Sequence, residues 1–218
     1  MSHIKNYEKD LDFNSLKNSP FKHPFLKNNE KVDSRVMAVY WPSKKYSIRH
    51  KDLFSQDICK NKTGPNDSTK RLAESMFDLM KEKFPNFLNS NFIVPIPNHH
   101  SNIYRDSGAI GIVKELNLIF KKNNYNIPVA NILEKNFSQK MHEMGSGESR
   151  KTFFNDNELF SINMLNFEIS NNIIKDSTVL LIDDVITMGL TTKACIDLLL
   201  GIGFKKIFLY VAGKTYQK

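Results

Sequence analysis

Apolar residues occur along this chain in short blocks, and the spacing within the blocks alternates between that of strands and that of helices. Four blocks predict strands, at 36–40 (VMAVY), 91–97 (NFIVPIP), 177–186 (STVLLIDDVI) and 205–213 (KKIFLYVAG). The runs 91–97 and 177–186 are almost entirely apolar, which is typical of strands that are buried on both faces. A weaker strand is predicted over 127–133.

A helix is predicted in the first half of the chain. Apolar residues from Leu72 to Phe84 recur at helical spacing, Ser68 or Thr69 is the predicted N-cap, and Pro85 marks the end. Tyr46–Ile48 is a candidate hairpin partner for the strand at 36–40.

Two further helices, predicted over 108–121 and 191–203, alternate with the strands. This order indicates the α/β class, with a mostly parallel sheet flanked by helices. Residues 1–34 are polar and predict an arm with little intrinsic structure, which leaves 35–218 as the main domain. The long polar segment 134–157 predicts a functional loop.

Composition narrows the class of protein. The chain has 218 residues, of which 40% are hydrophobic and 25% charged, so collagen, low-complexity disorder and disulfide scaffolds are excluded. No apolar stretch reaches the ~18–20 residues of a membrane span, and the first twenty residues lack the core of a secretory signal. With Cys59 and Cys195 as the only cysteines, we expect a reduced, cytoplasmic protein.

The net charge of +8 is concentrated early in the chain, because residues 1–70 hold 14 Lys and Arg against 8 Asp and Glu. Such a region could attract nucleic acid through its field. However, the chain has only five arginines, the residues that nucleic-acid readers favour. Ordinary solubility and affinity for phosphate are therefore the favoured interpretation, and nucleic acid is left open as a partner.

The segment 179–191 carries the clearest chemical pattern. An apolar strand runs into Asp183 and Asp184, and a helix follows a short loop that contains Thr187, Gly189 and Thr191. In a parallel sheet, ligands bind beyond the carboxyl ends of the strands, and a helix N-terminus after such a loop suits a phosphate. Carboxylates do not bind bare phosphate, but they accept hydrogen bonds from sugar hydroxyls. A ribose 5-phosphate unit fits both the acid pair, through its hydroxyls, and the loop, through its phosphate. The alternative is that the acidic residues only end a strand and have no function.

This segment resembles the signature of type I phosphoribosyltransferases, which use 5-phosphoribosyl 1-pyrophosphate (PRPP). The resemblance implies a doubly wound sheet with a flexible lid loop at 134–157 and a small hood within 35–90. It implies that Asp183 and Asp184 contact the ribose hydroxyls. The loop that would hold the 5-phosphate comprises Thr187, Met188, Gly189, Leu190 and Thr191, in which Met188 and Leu190 depart from the usual family pattern.

A second stretch, FIVPIPNHH at 92–100, resembles the pyrophosphate loop of the same fold, in its ComF-like branch. The resemblance implies that Ile96, Pro97 and Asn98 bind pyrophosphate. It also implies catalytic roles for Arg105, and for Arg150 on the lid.

The family's chemistry implies Mg²⁺ as the cofactor, held mainly by PRPP and water and not directly by protein ligands. The ribose then passes to a nitrogenous acceptor, expected to be a nucleobase, while pyrophosphate leaves. The partners expected are PRPP and this small acceptor, with no membrane, and a homodimer is compatible with the pattern.

Two other functions stay open at this point. The same pocket would serve a non-catalytic ComF-like protein that senses PRPP or a nucleotide, or that assists a nucleic-acid process. A lid that admits water would instead allow hydrolysis of PRPP or of a nucleotide. Neither a catalytic serine triad nor a P-loop motif occurs in the sequence.

Overall fold

The computed structural model describes residues 30–40, 52–64, 66–97, 106–136, 160–163 and 171–215. The strands in this part of the chain are β1 (Val32–Tyr40), β2 (Phe92–Pro95), β3 (Leu133–Lys135), β4 (Phe160–Ile162), β5 (Thr178–Ile186) and β6 (Lys206–Thr215). The α-helices are α1 (Leu53–Asn61), α2 (Asp67–Lys83), α3 (Gly108–Lys122), α4 (Asn171–Asp176) and α5 (Leu190–Gly201).

The principal sheet has four strands in the order β1-β6-β5-β2, and every neighbouring pair is parallel. β5 and β6 are the two inner strands. β3 and β4 form a separate antiparallel pair. The predicted α/β class with a mostly parallel sheet is confirmed.

Helices pack on both faces of this sheet because the inner strands are apolar on both sides. On β5, Leu180 and Ile182 pack in one core with helices α1, α2 and α3, while Val179 and Leu181 pack in a second core with α5. β6 alternates in the same way. Each such side chain stabilises the fold by about 1.5–3 kcal/mol when it is fully buried.

Helix α2 begins at Asp67, one residue before the predicted cap. The side chain of Asn66 accepts hydrogen bonds from the backbone N–H groups of Ser68 and Thr69, at 2.9 and 3.2 Å. The prediction that Ser68 or Thr69 caps this helix is therefore wrong, because Asn66 already satisfies their amides. The predicted end is confirmed, since α2 stops at Lys83 and a 3₁₀-helix starts at Pro85.

Helix α1 was not predicted from the sequence, and its buried face explains why. Besides Phe54 and Ile58, that face carries three polar residues, Ser55, Asp57 and Asn61. Apolar periodicity is therefore too weak to indicate a helix. The polar residues instead pair with neighbouring polar groups, as in the hydrogen bond of 2.9 Å from the Thr69 hydroxyl to Asn61.

The predicted strand at 127–133 is much shorter than expected. Only Val129 forms a bridge, a parallel one with Ile93 of β2, and strand structure resumes at Leu133. Pro128 has no N–H group to donate, so the ladder cannot extend through it.

The N-terminal boundary also differs from the expectation. β1 begins at Val32, inside the range 1–34 that was predicted to be an arm, and it forms an edge of the principal sheet. The range 35–90, predicted to contain a hood, therefore supplies an edge strand and two helices of the main layers. Tyr46–Ile48 lies outside the described residues. None of the helices in the described ranges is long and apolar enough to cross a membrane.

Candidate active site

The inner strand β5 carries Asp183 and Asp184 to the carboxyl edge of the sheet. The four residues before them, from Val179 to Ile182, are fully buried. Asp183 lies opposite Val211 on β6, and the N–H of Ile96 donates to the carbonyl of Ile182 at 2.9 Å on the other side. Asp183 and Asp184 therefore lie just beyond the end of β2, on the last part of β5, at the edge of the sheet where ligands of parallel sheets bind.

The Asp183 side chain is buried, with 6% of its surface exposed. Its Oδ2 accepts a hydrogen bond from the Thr192 hydroxyl at 3.0 Å. Burial, and secondly the charge of Asp184, raise the pKa of Asp183 to about 8, against the smaller opposing effect of Thr192. Asp183 is therefore largely protonated at neutral pH in the ligand-free protein and can donate as well as accept.

Asp184 has a different environment although it is the next residue. Its side chain is half-buried, and Oδ1 accepts from the backbone N–H of Val185 at 2.8 Å. It is thus the more accessible of the two carboxyl groups. The pair offers one buried and one accessible acid, which suits adjacent hydroxyls better than a single anion.

The turn from β5 into α5 contains a glycine in a left-handed conformation immediately before a helix. Gly189 has a φ of 73°, a left-handed conformation that favours glycine, and it directly precedes Leu190, the first residue of α5. Among the described residues, no side chain accepts a hydrogen bond from this helix end. The first amides of α5, which include that of Thr191, therefore present N–H groups and a partial positive charge to the carboxyl edge.

The side chains of the other loop residues differ in exposure. Thr187 is exposed, whereas Met188, Leu190 and Thr191 are half-buried. The Thr187 hydroxyl lies 2.8 Å from the hydroxyl of Thr215 at the end of β6. Of the five residues predicted for the 5-phosphate, Thr187, Met188 and Gly189 therefore form the connection after β5, and Leu190 and Thr191 begin α5.

The predicted pyrophosphate loop is described only at its beginning. Ile96 is buried and its N–H donates to the Ile182 carbonyl, while Pro97 is half-buried and has no N–H, so neither residue offers a backbone N–H to a pyrophosphate oxygen. Both follow β2, at the same edge as Asp183. Asn98 and Arg105, together with His99 and His100, lie outside the described residues.

The lid predicted over 134–157 is described only at its beginning, 134–136. β3 and β4 pair so that Lys135 lies opposite Phe160, which brings the two ends of the intervening segment together. Lys135 is itself buried, and burial lowers the pKa of its ammonium group. Arg150 and the rest of 137–159 lie outside the described residues.

The donor set at this edge bears on the expected magnesium ion. In the described part of the chain, no group of three or more His, Cys, Asp or Glu side chains is placed to hold a metal. Two adjacent carboxyls, one of them buried, fit an ion that takes most of its ligands from substrate and water, as Mg²⁺ commonly does. Cys195 is fully buried on α5, and burial raises the pKa of its thiol, so it packs as an apolar residue and not as a nucleophile.

Two residues of this edge were not singled out from the sequence as site residues. Thr192 holds Asp183, and Thr215 contacts Thr187. The only signal available for Thr192 was its place in the first turn of a helix that follows an acidic strand end.

Comparison with protein-family models gives no match to this chain, and comparison with curated proteins gives none either.

Proposed function

We propose that the protein is a phosphoribosyltransferase of the type I kind, in its ComF-like branch. It binds PRPP at the carboxyl edge of β5 and transfers the 5-phosphoribosyl group to a nitrogenous acceptor, with release of pyrophosphate. One observation carries this proposal. The Asp183–Asp184 pair lies near the carboxyl end of an inner parallel strand, and a glycine with positive φ and the N-terminus of α5 follow within six residues.

The 5-phosphate binds at the N-terminus of α5. Amides from Leu190 onwards donate to its oxygens, and the exposed Thr187 hydroxyl adds a side-chain donor. Gly189 matters here because its lack of a side chain lets the phosphate approach the backbone. This arrangement requires no positively charged side chain in the loop.

The ribose hydroxyls bind at the acid pair. Asp184, half-buried and accessible, accepts from one hydroxyl, and Asp183 either accepts from the other or donates its proton to it. Thr192 keeps the Asp183 carboxyl in one orientation through its hydrogen bond. The sugar is thus held at both ends, which fixes C1 relative to the end of β2.

In the proposed reaction, the bond from C1 to pyrophosphate breaks and the acceptor nitrogen forms a new bond to C1, while its proton passes to solvent. Positive charge grows on the sugar, and the negative carboxylate of Asp184 stabilises it across the ring. When bound with PRPP, Mg²⁺ supplies charge that stabilises the departing pyrophosphate. Asn98, Arg105 and Arg150 supply the donors of the pyrophosphate site in this proposal, and Ile96 and Pro97 line it.

The alternative is a protein that binds PRPP or a nucleotide without turning it over, including one that works with nucleic acid. The buried, largely protonated state of Asp183 favours this alternative, because a neutral acid contributes little to stabilising a cationic sugar.

The reduced state expected for both cysteines and the nature of PRPP as a metabolite support a cytoplasmic location, which we include in the proposal.

The test is pyrophosphate release from PRPP and Mg²⁺ over a panel of nucleobases, together with PRPP binding by calorimetry. We compare wild type, Asp184→Asn and the control Asp197→Asn, which removes the same charge from an exposed position on α5. Release that Asp184→Asn reduces and Asp197→Asn leaves intact supports the enzyme. Tight PRPP binding without release for any acceptor supports the non-catalytic alternative, and no PRPP binding at all contradicts both.

A further inference from the structure

A contact between two threonines joins the proposed phosphate loop to a different strand. The hydroxyl oxygens of Thr187 and Thr215 are 2.8 Å apart, and either one can be the donor. Thr187 is exposed on the loop after β5, whereas Thr215 is buried, with 9% of its surface exposed, at the end of β6. The buried hydroxyl of Thr215 therefore restricts the orientation of the exposed Thr187 side chain.

The parallel register explains how these residues meet. Ile186 at the end of β5 lies opposite Lys214 of β6, so the next residue on each strand comes to the same place. Thr215 thus reaches the loop from the neighbouring strand. Its position is set by the sheet and does not depend on the loop conformation.

The chemistry of the hydroxyl group decides which direction of this hydrogen bond suits a ligand. A threonine hydroxyl has one proton to donate and two acceptor sites. Phosphate oxygens at neutral pH mainly accept. Thr187 can donate to a phosphate only when its proton is not directed at Thr215, which requires that Thr215 is the donor in their contact.

We propose that Thr215 is a positioning residue for the ligand's phosphate. It donates to the Thr187 oxygen, so that the Thr187 proton points to the phosphate at the N-terminus of α5. This inference rests on the proposed function, because it concerns the same phosphate loop. It adds a residue that makes no contact with the ligand itself.

Thr215→Val removes the hydroxyl at nearly constant volume, and Thr215→Ser keeps the hydroxyl. The other two variants are Thr187→Val and the double variant that carries valine at both positions. Thr178→Val is the control, because it makes the same change at the opposite end of β5. Binding of PRPP, ribose 5-phosphate and inorganic phosphate is measured by calorimetry, and the melting temperature of each variant is recorded. Because Thr187 is exposed, Thr187→Val is expected to fold normally. It therefore still tests the hydrogen bond to the phosphate if Thr215→Val folds poorly.

We expect Thr215→Val to raise the dissociation constant for PRPP and ribose 5-phosphate about fivefold to tenfold, the scale of one ordinary hydrogen bond. Thr215→Ser and Thr178→Val stay within about twofold of wild type. The double variant binds no more weakly than Thr187→Val alone, because Thr215 acts only through Thr187. If turnover occurs, KM for PRPP rises while kcat changes less.

Additive losses in the double variant, or unchanged phosphate binding in Thr215→Val, would overturn this inference. The proposed function fails separately, when wild type binds ribose 5-phosphate or phosphate but not PRPP. The role of Thr215 is then still decided with those two probes. Wild type that binds none of the three overturns both proposals.

Discussion

The guanidinium of Arg71 on α2 lies against the buried carboxylate of Asp57 on α1 and donates two hydrogen bonds to it. Nε is 2.9 Å from one oxygen and Nη2 is 2.6 Å from the other, and Nη2 also donates to the Ser68 hydroxyl at 3.1 Å. The Asp57 side chain is completely buried, while Arg71 is partly exposed. This contact joins α1, which apolar spacing did not predict, to its neighbour α2.

Removing the arginine should therefore destabilise the protein strongly. Arg71→Met removes the guanidinium that donates two hydrogen bonds to the buried Asp57 carboxylate, and we expect a loss of about 3 kcal/mol in the free energy of unfolding, measured with urea. Lys193→Met, which breaks an exposed ion pair with Asp197 on α5, serves as the control and should cost less than about 1 kcal/mol. Equal effects of the two substitutions would show that burial of Asp57 does not matter.

The buried Asp183 should make stability depend on pH. Its pKa is raised to about 8 in the folded protein, from about 3.9 in an unfolded chain, so the folded state binds more protons between these values. Stability should therefore fall as pH rises from about 4 to about 8, by at most ~1.4 kcal/mol per pH unit, and level off above. Urea unfolding without ligand and in EDTA, at several pH values, measures this.

Asp183→Asn should remove this part of the pH dependence, because the amide stays neutral and can still accept from Thr192. Asp184→Asn removes the neighbouring charge but leaves the burial, so the pH range of the effect should narrow without vanishing. A wild-type minus Asp183→Asn difference that is constant with pH would contradict the raised pKa.

The two acids should also differ in ligand binding. Because Asp183 is already largely protonated at neutral pH, Asp183→Asn should weaken PRPP binding by no more than about threefold. Asp184 offers an accessible carboxylate, and charged hydrogen bonds are the stronger kind, so Asp184→Asn should weaken binding by more than about tenfold. Calorimetric titration with PRPP and Mg²⁺ at pH 7 separates these outcomes, and equal losses would argue that both acids bind as charged groups.

Gly111 on α3 should not tolerate even a methyl group. A Cβ atom there would lie 2.1 Å from the carbonyl oxygen of Asp106, so Gly111→Ala must displace the backbone that leads into α3, at a cost of about 1–3 kcal/mol. Gly201→Ala, at the end of α5, is the matched control because nothing lies within 4 Å of its added atom. It should be neutral or stabilise by up to about 1 kcal/mol. Thermal melting of both variants measures these effects. A melting temperature that falls more for Gly201→Ala than for Gly111→Ala would contradict the prediction.

Gly189 in the phosphate loop should be sensitive for a conformational reason. Its φ of 73° is unfavourable for residues with a Cβ atom, so Gly189→Ala should cost about 1–2 kcal/mol in stability and weaken PRPP binding as the loop relaxes. Gly189→Asn is the comparison, since asparagine tolerates this conformation better, and it should lie between alanine and wild type. Alanine behaving like wild type in both assays would mean that the loop does not need the left-handed conformation.

The parts of the fold that were predicted from the sequence are those with strong apolar patterns. β5, β6 and α3 follow from unbroken or regularly spaced apolar residues, and the acid pair and Gly189 fall where the sequence places the end of a strand and the start of a helix. Helix α1 escaped prediction because Asp57 and Asn61 occupy buried positions. Its stability depends on Arg71 and Thr69, and no local spacing reveals such partners.

The same limit applies to the site. The sequence places Asp183 at a strand end, but its burial and its contact with Thr192 depend on how α5 packs against the sheet. Thr187 and Thr215 are far apart along the chain and meet only through the register of β5 and β6. Long-range pairings of this kind follow from the sheet and not from local residue patterns.

The position of β6 between β1 and β5 has a consequence for how the chain is made. β1 is synthesised before all the other described strands, yet its neighbour in the sheet is β6, with Val32 beside Ile207. On the ribosome, β1 therefore has no partner strand until Lys206–Thr215 has emerged. Chaperones that bind extended apolar segments would meet β1 in this interval, and the sheet closes around the site only when β6 arrives.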